Sequence, residues 1–593
     1  MKIQIHDQWK SHFMATSLGI LFALAASGQA GDPRTNCWFT TYSGKYARIY
    51  TNDIMLASGT VLTTWSNGSQ TQSLPAYCGV QEVYSSSDSV YVLSSGLASY
   101  NMGPWLNGAF PNLPVNQKLL YRVPRTNSVP ATKSITEGGQ IGIFVDGVEM
   151  FNSWDAFYWN GTTDTSGGGT GYWNRDAYVN EGATFDAGNA HQQNTGTYHY
   201  HANPPGLRYL LGDHVNYSTA TKTYSESTNL PVKHSPILGW VSDGFPIYGP
   251  YGYSNASNAN SGIRRMISGY VIRNGSYGTS NLTANGRMTI PQWAVRLYNV
   301  SSNESGPSVS TSYPLGRYME DNDYLGDHGY TQGVDFDLDE YNGRFCVTPE
   351  FPNGTYAYFV AISANGTPVF PYNIGRGYYG SPVGGNVSSI TESVTTNFLG
   401  GPEATPSLNT PTVNLGAVTL TWSATEGGTY MVQSTTNYSA WTINSTTVAA
   451  VLNTASYTEN PTDNHRFYRV AQTALAAYDP AGTGGSTSGN SGGTFSVPGG
   501  AVSRGNGTNI TLSITLTAPP NLPPANAPIT SVTLGSLTAT SSSDGTQGTV
   551  LANLTIPANA TLGAQTVVVT FSPPLNQTQG PVYTFTGGFT INP

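Results

Sequence analysis

Ile141-Gly142-Ile143-Phe144-Val145-Asp146-Gly147-Val148 reads as an apolar strand, a tight Asp-Gly turn and the start of a second strand. Asp-Gly supplies the backbone freedom a short hairpin loop needs, so the stretch is a local hairpin signal. Working outward, short strand-like runs broken by Gly and Pro dominate residues 31–401. Helical character is confined to about one turn at 207–211 and another at 339–341. The expected fold class is all-β: a large N-terminal β domain with long aromatic loops over 31–401, then two small β-sandwich modules.

The first module is expected over 402–475. Val418, Leu420 and Trp422 alternate with Thr419 and Thr421, Tyr430 and Val432 begin another strand, and Phe467-Tyr468-Arg469-Val470 closes the unit. A period of two puts one face in a core and the other in water. With Gln433-Ser434 and Trp441, these motifs resemble the fibronectin type III-like modules appended to exported bacterial proteins. A Gly/Ser-rich linker is expected over 476–493 and a C-terminal β-sandwich module over 494–593. In the latter, Ile510, Leu512, Ile514 and Leu516 alternate with Thr and Ser. From 476 onward the only charges are Asp479, Arg504 and Asp544. Such sparsely charged surfaces would suit weak contact with polysaccharide or another cell-surface polymer.

The whole chain shares that scarcity. Of 593 residues 24 are Lys or Arg and 33 Asp or Glu, so charged residues are 10%, against about 25% in ordinary globular proteins. A net charge of -9 with so little basic surface excludes nucleic acid as a partner. Aromatic residues at 12% are too abundant for a disordered chain. Residues 1–30 read as an export signal: Lys2 and Lys10, an apolar run over 14–26, and small residues at Ser27-Gly28-Gln29-Ala30. No later stretch reaches the roughly 18 apolar residues of a membrane span, so a secreted or cell-surface location is expected. In that compartment a Cys37–Cys78 disulfide is permissible. Cys346 is then left over, as a buried apolar residue, a metal ligand or a reactive thiol.

Beyond those in the expected signal and His465, the histidines are His191, His199, His201, His214, His234 and His328. In an extended Tyr198-His199-Tyr200-His201, both imidazoles share one face and both phenols the other. Two histidines so placed suit Zn²⁺ or Cu²⁺, since imidazole nitrogen is a borderline donor. His191, across the turn Asn194-Thr195-Gly196, is the expected third ligand. His234 and Asp243 are the next candidates, to complete the sphere or to orient an imidazole. The competing reading is that these histidines satisfy buried carbonyls in an aromatic core.

Tyr198-His199-Tyr200-His201 is also the tetrad for which the YHYH-domain family is named. Thr184-Phe185-Asp186 and Ala190-His191 before it resemble the family, as does His201-Ala202-Asn203-Pro204 after it. So do the run from Ser235 through Trp240-Val241-Ser242-Asp243-Gly244-Phe245-Pro246 to Pro250, and Cys346-Val347-Thr348-Pro349-Glu350-Phe351-Pro352. The resemblance covers most of 31–401 and implies an exported bacterial protein, often with trailing β-modules, without an established activity. Where relatives read Asp-Glu-Cys-Asn-Gly, this chain reads Asp339-Glu340-Tyr341-Asn342-Gly343. No disulfide is therefore carried over from them.

Carboxylates concentrate at Glu320-Asp321-Asn322-Asp323 and at Asp335, Asp337, Asp339 and Glu340. They are candidates for a structural Ca²⁺ site, for salt bridges to Arg317 and Arg344, or for glycosidase chemistry beside the Tyr and Trp of 154–173. The Gly489–Gly493 match to a nucleophile elbow lacks a flanking strand and helix, and Gly167-Gly168-Gly169 lacks the helix a phosphate cradle needs. Three functions follow as expectations: a Cu- or Zn-binding exported protein, a non-catalytic surface or adhesion protein with structural histidines, and a carbohydrate-active enzyme.

Overall fold

The computed structural model describes residues 31–480, apart from 68–69, 107–111, 168–170 and 464, and beyond 480 the strand backbones between 494 and 592. The expected export signal, residues 481–493 of the expected linker with the elbow-like motif, and residues 168–169 of the glycine run lie outside the described residues. The chain divides into two compact units, Met1–Gly484 and Gly485–Pro593. Both are built from β-strands, as the alternating patterns require.

An eight-stranded sheet organises the first unit. Its strands in chain order are β1 (Gln140–Phe144), β2 (Glu149–Phe151), β3 (Ala190–Gln192), β4 (Tyr198–Tyr200), β5 (Ile237–Val241), β6 (Pro246–Tyr248), β7 (Gly343–Cys346) and β8 (Thr355–Phe359). In space they run β3-β4-β2-β1-β5-β6-β8-β7. The pairs β4–β2 and β6–β8 are parallel and the rest antiparallel. The hairpin read at 141–148 joins β1 to β2. Gly147 turns it at φ +79°, and a Cβ there would lie 2.1 Å from Ser94 Oγ, so the turn demands glycine. β5 is buried at every position, which is why it reads as a continuous apolar run rather than an alternating one.

A five-stranded antiparallel sheet, ordered Gly385–Asn386, Leu119–Pro124, Ser89–Ser94, Val80–Ser85 and Thr395–Leu399, shares its core with the first sheet. Val83, Val92 and Tyr121 belong to one buried cluster with Ile143, Leu238, Trp240 and Tyr358. The longer loops carry a second core, built on Trp154, Trp173, Tyr270, Trp293, Tyr318 and Tyr372.

The acidic stretch is absorbed by that second core. Arg287 is wholly buried and forks onto Asp321 at 2.6 and 2.7 Å, its other N–H groups donating to the carbonyls of Pro307, Tyr313 and Pro314. Glu320 accepts from Asn174 and Tyr298, Asp323 pairs with His328, and Asp337 pairs with Arg264. Arg317 pairs with Asp164 rather than with its sequence neighbours, and Arg344 lies 3.8 Å from Asp337. Each carboxylate has its own partner, so the expected Ca²⁺ cluster is not assembled among the described residues.

Three further expectations are corrected. Residues 339–341 form a turn, because the Asp339 carboxylate accepts from the Tyr341 and Gly343 N–H groups in place of helical bonding. Helices absent from the sequence reading occur at Asp53–Ser58, Ala177–Glu181, Leu282–Asn285 and Gln292–Tyr298, each too short to show a 3.6-residue period. Cys37, Cys78 and Cys346 are all free thiols. Cys37 accepts from the Trp240 indole N–H and Cys78 bonds the Tyr42 carbonyl, and burial pushes these two thiols up to about 12 and about 11.

Residues 412–474 form two three-stranded sheets around Val418, Leu420, Trp422, Tyr430 and Val432. They are docked within the first unit. Glu426 pairs with Arg48 and accepts from the Tyr46 N–H, and Asn453 donates to the Thr41 carbonyl. In the second unit an eight-stranded array is ordered Thr494–Ser496, Asn509–Thr515, Thr549–Thr555, Leu537–Ser543, Ile529–Leu534, Gly563–Phe571, Val582–Asn592 and Val502–Ser503.

The two kinds of ion pair separate in a stability measurement. Asp321→Ala strands a buried guanidinium and should lower the unfolding free energy of the first unit by about 3–5 kcal/mol. Arg296→Ala, which removes a half-exposed pairing with Asp327 and Glu340, should cost under about 1 kcal/mol. Urea unfolding of both variants checks the difference.

Candidate metal centre

The site grows from the β3–β4 pairing. Antiparallel register places His191 directly opposite His199, with Ala190 opposite Tyr200 and Gln192 opposite Tyr198. Alternation along β4 then brings His201 back to the face of His199. Potential ligand atoms of His191, His199 and His201 all lie within 4.8 Å of one another, and all three side chains are buried. The Nε2 atoms of His199 and His201 are 3.1 Å apart.

Hydrogen bonds at the far nitrogens fix which tautomer each ring adopts. His199 Nδ1 lies 2.9 Å from the Thr197 carbonyl and His201 Nδ1 lies 2.6 Å from the Asn152 carbonyl. A carbonyl only accepts, so both Nδ1 atoms carry the proton. His191 Nδ1 lies 2.8 Å from Thr184 Oγ1, whose own proton goes to the Glu181 carbonyl at 2.6 Å. Thr184 must therefore accept, and His191 is also the Nδ1–H form. Three Nε2 lone pairs are thus turned toward one small volume.

Burial keeps these rings neutral. It pushes His191 down to about 3, with the nearby His201 adding to the effect. His201 is pushed down to about 4, partly offset by its bond to Asn152, and His199 falls well below the usual range. Phe151 stacks on His199 with centroids 3.8 Å apart, and Phe185 lies parallel to His201 at 5.8 Å. The rings are held on their flat faces as well as at Nδ1.

Glu181, which the sequence reading did not single out, stands at the edge of this group. Its Oε2 is 3.4 Å from His201 Nε2 and 3.7 Å from His191 Nε2. Burial, then the charge of Asp155, push its carboxyl up to about 8. The residue ends the short helix Ala177–Glu181, capped by Asp176, whose side chain accepts from the Val179 N–H. No motif in the sequence ties that helix to the tetrad.

The remaining sequence candidates lie elsewhere. His234 donates from Nδ1 to the Ser235 carbonyl at 2.7 Å and packs against Tyr248, Tyr253 and Phe359. Asp243 accepts from Tyr358 at 2.6 Å and from the Gly380 N–H at 2.9 Å, and burial pushes it up to about 6. Neither joins the three-histidine group. His214 packs on Tyr251 and His328 on Asp323, so the six histidines that cluster in sequence divide three and three in space.

The opposite face of β4 carries a chain of buried hydroxyls. Tyr198 lies 2.6 Å from Asp186 Oδ2 and 2.9 Å from the Tyr100 hydroxyl; Tyr100 lies 2.9 Å from the Tyr200 hydroxyl, and Tyr200 lies 3.1 Å from Asp146 Oδ2. Gly188 leaves the space that Tyr100 fills, since a Cβ there would lie 2.1 Å from its hydroxyl. Asp186 already accepts from the Gly103, Gly188 and Ala190 N–H groups as well as from Tyr198. Burial pushes both end carboxyls up, Asp146 to about 7 and Asp186 to about 6, and Tyr200 donates to Asp146 as Tyr198 does to Asp186. The outer phenols donate to the two carboxylates, and the Tyr100 hydroxyl bridges those phenols.

The two ends should respond differently to substitution. Asp146→Asn keeps an oxygen to accept from Tyr200 and should leave stability near pH 7 within about 1 kcal/mol, whereas Asp186→Asn replaces one of the two oxygens that together accept from four donors and should cost about 1–3 kcal/mol. An acid raised in the folded state stabilises at low pH and loses that contribution as pH rises toward its folded value. Wild type should therefore lose stability between about pH 4 and 7 relative to Asp146→Asn, measured by urea unfolding across that range.

No curated protein matches this chain. Residues 120–370 match the protein family described as YHYH protein, so the candidate metal centre and both carboxylates of the tyrosine chain fall inside the matched stretch.

Proposed function

We propose that the first unit binds one transition-metal ion, copper or zinc, through His191, His199 and His201. The observation that carries this reading is the 3.1 Å approach of His199 Nε2 to His201 Nε2 with both Nδ1 protons already given to carbonyls. Two lone pairs at that distance repel, and burial opposes placing a proton between them. A divalent cation converts the repulsion into coordination, and three neutral imidazoles are a donor set that both Cu²⁺ and Zn²⁺ accept. Thr197, Asn152 and Thr184 would then be the groups that orient the ligands. His234 and Asp243 have no place in this reading.

The protein is further proposed to act outside the cytoplasm. The apolar run at 14–26 and the export implied by the family resemblance support this, and among the described residues no helix is long and apolar enough to cross a membrane. Residues 402–475 and 494–593 would serve as β-modules meeting neutral polymers.

A second reading keeps the histidines purely structural in a non-catalytic surface protein. It is favoured by the stacking of Phe151 and Phe185 on two of the rings. The carbohydrate-active reading loses its support, because the carboxylates it needs are taken by arginines and hydroxyls.

Metal analysis of protein purified without an affinity tag separates the first two readings. Wild type should hold close to one equivalent of copper or zinc, and His199→Ala/His201→Ala should hold none. Substoichiometric metal unchanged in the double variant, with no metal-dependent shift in melting temperature, would leave the structural reading standing.

A further inference from the structure

We infer that Glu181 is the fourth ligand of this centre and the one that yields to an incoming small anion; the inference rests on the metal reading above. Its carboxylate stands at ligand spacing from two of the three histidines, beside the group that those three form. Metal–nitrogen bonds of about 2.0–2.1 Å in a tetrahedron put donor atoms about 3.3 Å apart. The observed separations are 3.1 Å for His199–His201, 3.4 Å for Glu181–His201 and 3.7 Å for Glu181–His191. A carboxylate acting instead as a base on metal-bound water would stand farther out, with room for the water between.

The same hydroxyl ties Glu181 to the histidines. Thr184 Oγ1 donates to the Glu181 carbonyl and accepts from His191 Nδ1, so the end of the helix and the third imidazole are set by one group. Three nitrogens and one oxygen make a mixed donor set that suits Zn²⁺ or Cu²⁺ and disfavours soft Cu⁺.

Exposure distinguishes the four donors. The His191 and His201 side chains are 8% and 4% exposed, while that of Glu181 is 29% exposed. Glu181 is therefore the ligand that solvent reaches. With it bound, three neutral imidazoles and one carboxylate leave a divalent ion at a net charge of +1 and no open position. When its metal–oxygen bond breaks, the site holds +2 behind aromatic walls and takes up an anion with an oxygen or nitrogen donor, such as a small carboxylate.

Cobalt(II) added to the metal-free full-length protein is the probe, read by visible absorption, with azide as the test anion. Glu181→Gln should bind Co²⁺ at least about tenfold more weakly than wild type. Its absorption bands should differ, and it should take up azide at lower concentration. Equal Co²⁺ affinity, bands and azide response in the two proteins would overturn the role of Glu181, while loss of Co²⁺ in His199→Ala/His201→Ala would leave the histidine site standing. A wild type that binds no Co²⁺ would overturn both. Should Glu181→Gln fail to fold, Glu181→Asp, one methylene shorter, replaces it under the same criteria.

Discussion

Carbonyl oxygens govern the histidine face. Thr197 and Asn152 each present a main-chain acceptor to an Nδ1 atom, and an imidazole has a single proton to give when neutral. Giving it outward leaves the inner nitrogen bare. The strand pairing decides where the rings are, but these backbone acceptors decide which atom of each ring faces its neighbour. The same rings in the opposite tautomer would present N–H groups to one another and hold no cation.

The scarcity of charge takes on a structural meaning beside this. Arg208, Arg273 and Arg287 are among the largest fully buried side chains, and Arg208 and Arg287 are each matched to a carboxylate within 2.7 Å. A desolvated guanidinium costs least when a carboxylate and carbonyls take up most of its donors. In a chain with few charges, those within the loop-rich core act as fixed struts for long connections that have little regular secondary structure. The face of β4 that holds Tyr198 and Tyr200 follows a different economy, with neutral hydroxyls ending on a buried carboxyl at each end.

Much of this was legible in the sequence where it depended on local periodicity. Tyr198 to His201 declared two faces by alternation, and Asp146-Gly147 declared the hairpin. His191 could be paired with His199 because one short turn separates them. Glu181 could not be found that way: its helix is five residues long, and its approach to His201 comes from how loops close over the sheet. His234 and Asp243 are candidates by nearness in the chain, yet the segments on either side of β5 take them to aromatic and tyrosine partners instead. The carboxylates of 320–340 misled for a related reason. Sequence shows that they are concentrated, while the arginines that separate them come from 264, 273 and 287.

The chain of hydroxyls has a consequence for the ion proposed on the other side of the strand. It fastens β4 to Asp146 in the hairpin turn at one end and to Asp186 before β3 at the other, through Tyr200 and Tyr198. The alternate residues of that same strand carry the imidazoles, so the spacing of their nitrogens is set before any ion arrives. A pliable site ranks divalent metals by intrinsic affinity, with copper foremost. A strand moored on its reverse face would instead act as a gauge, admitting the proposed ion by the bond lengths and angles it accepts.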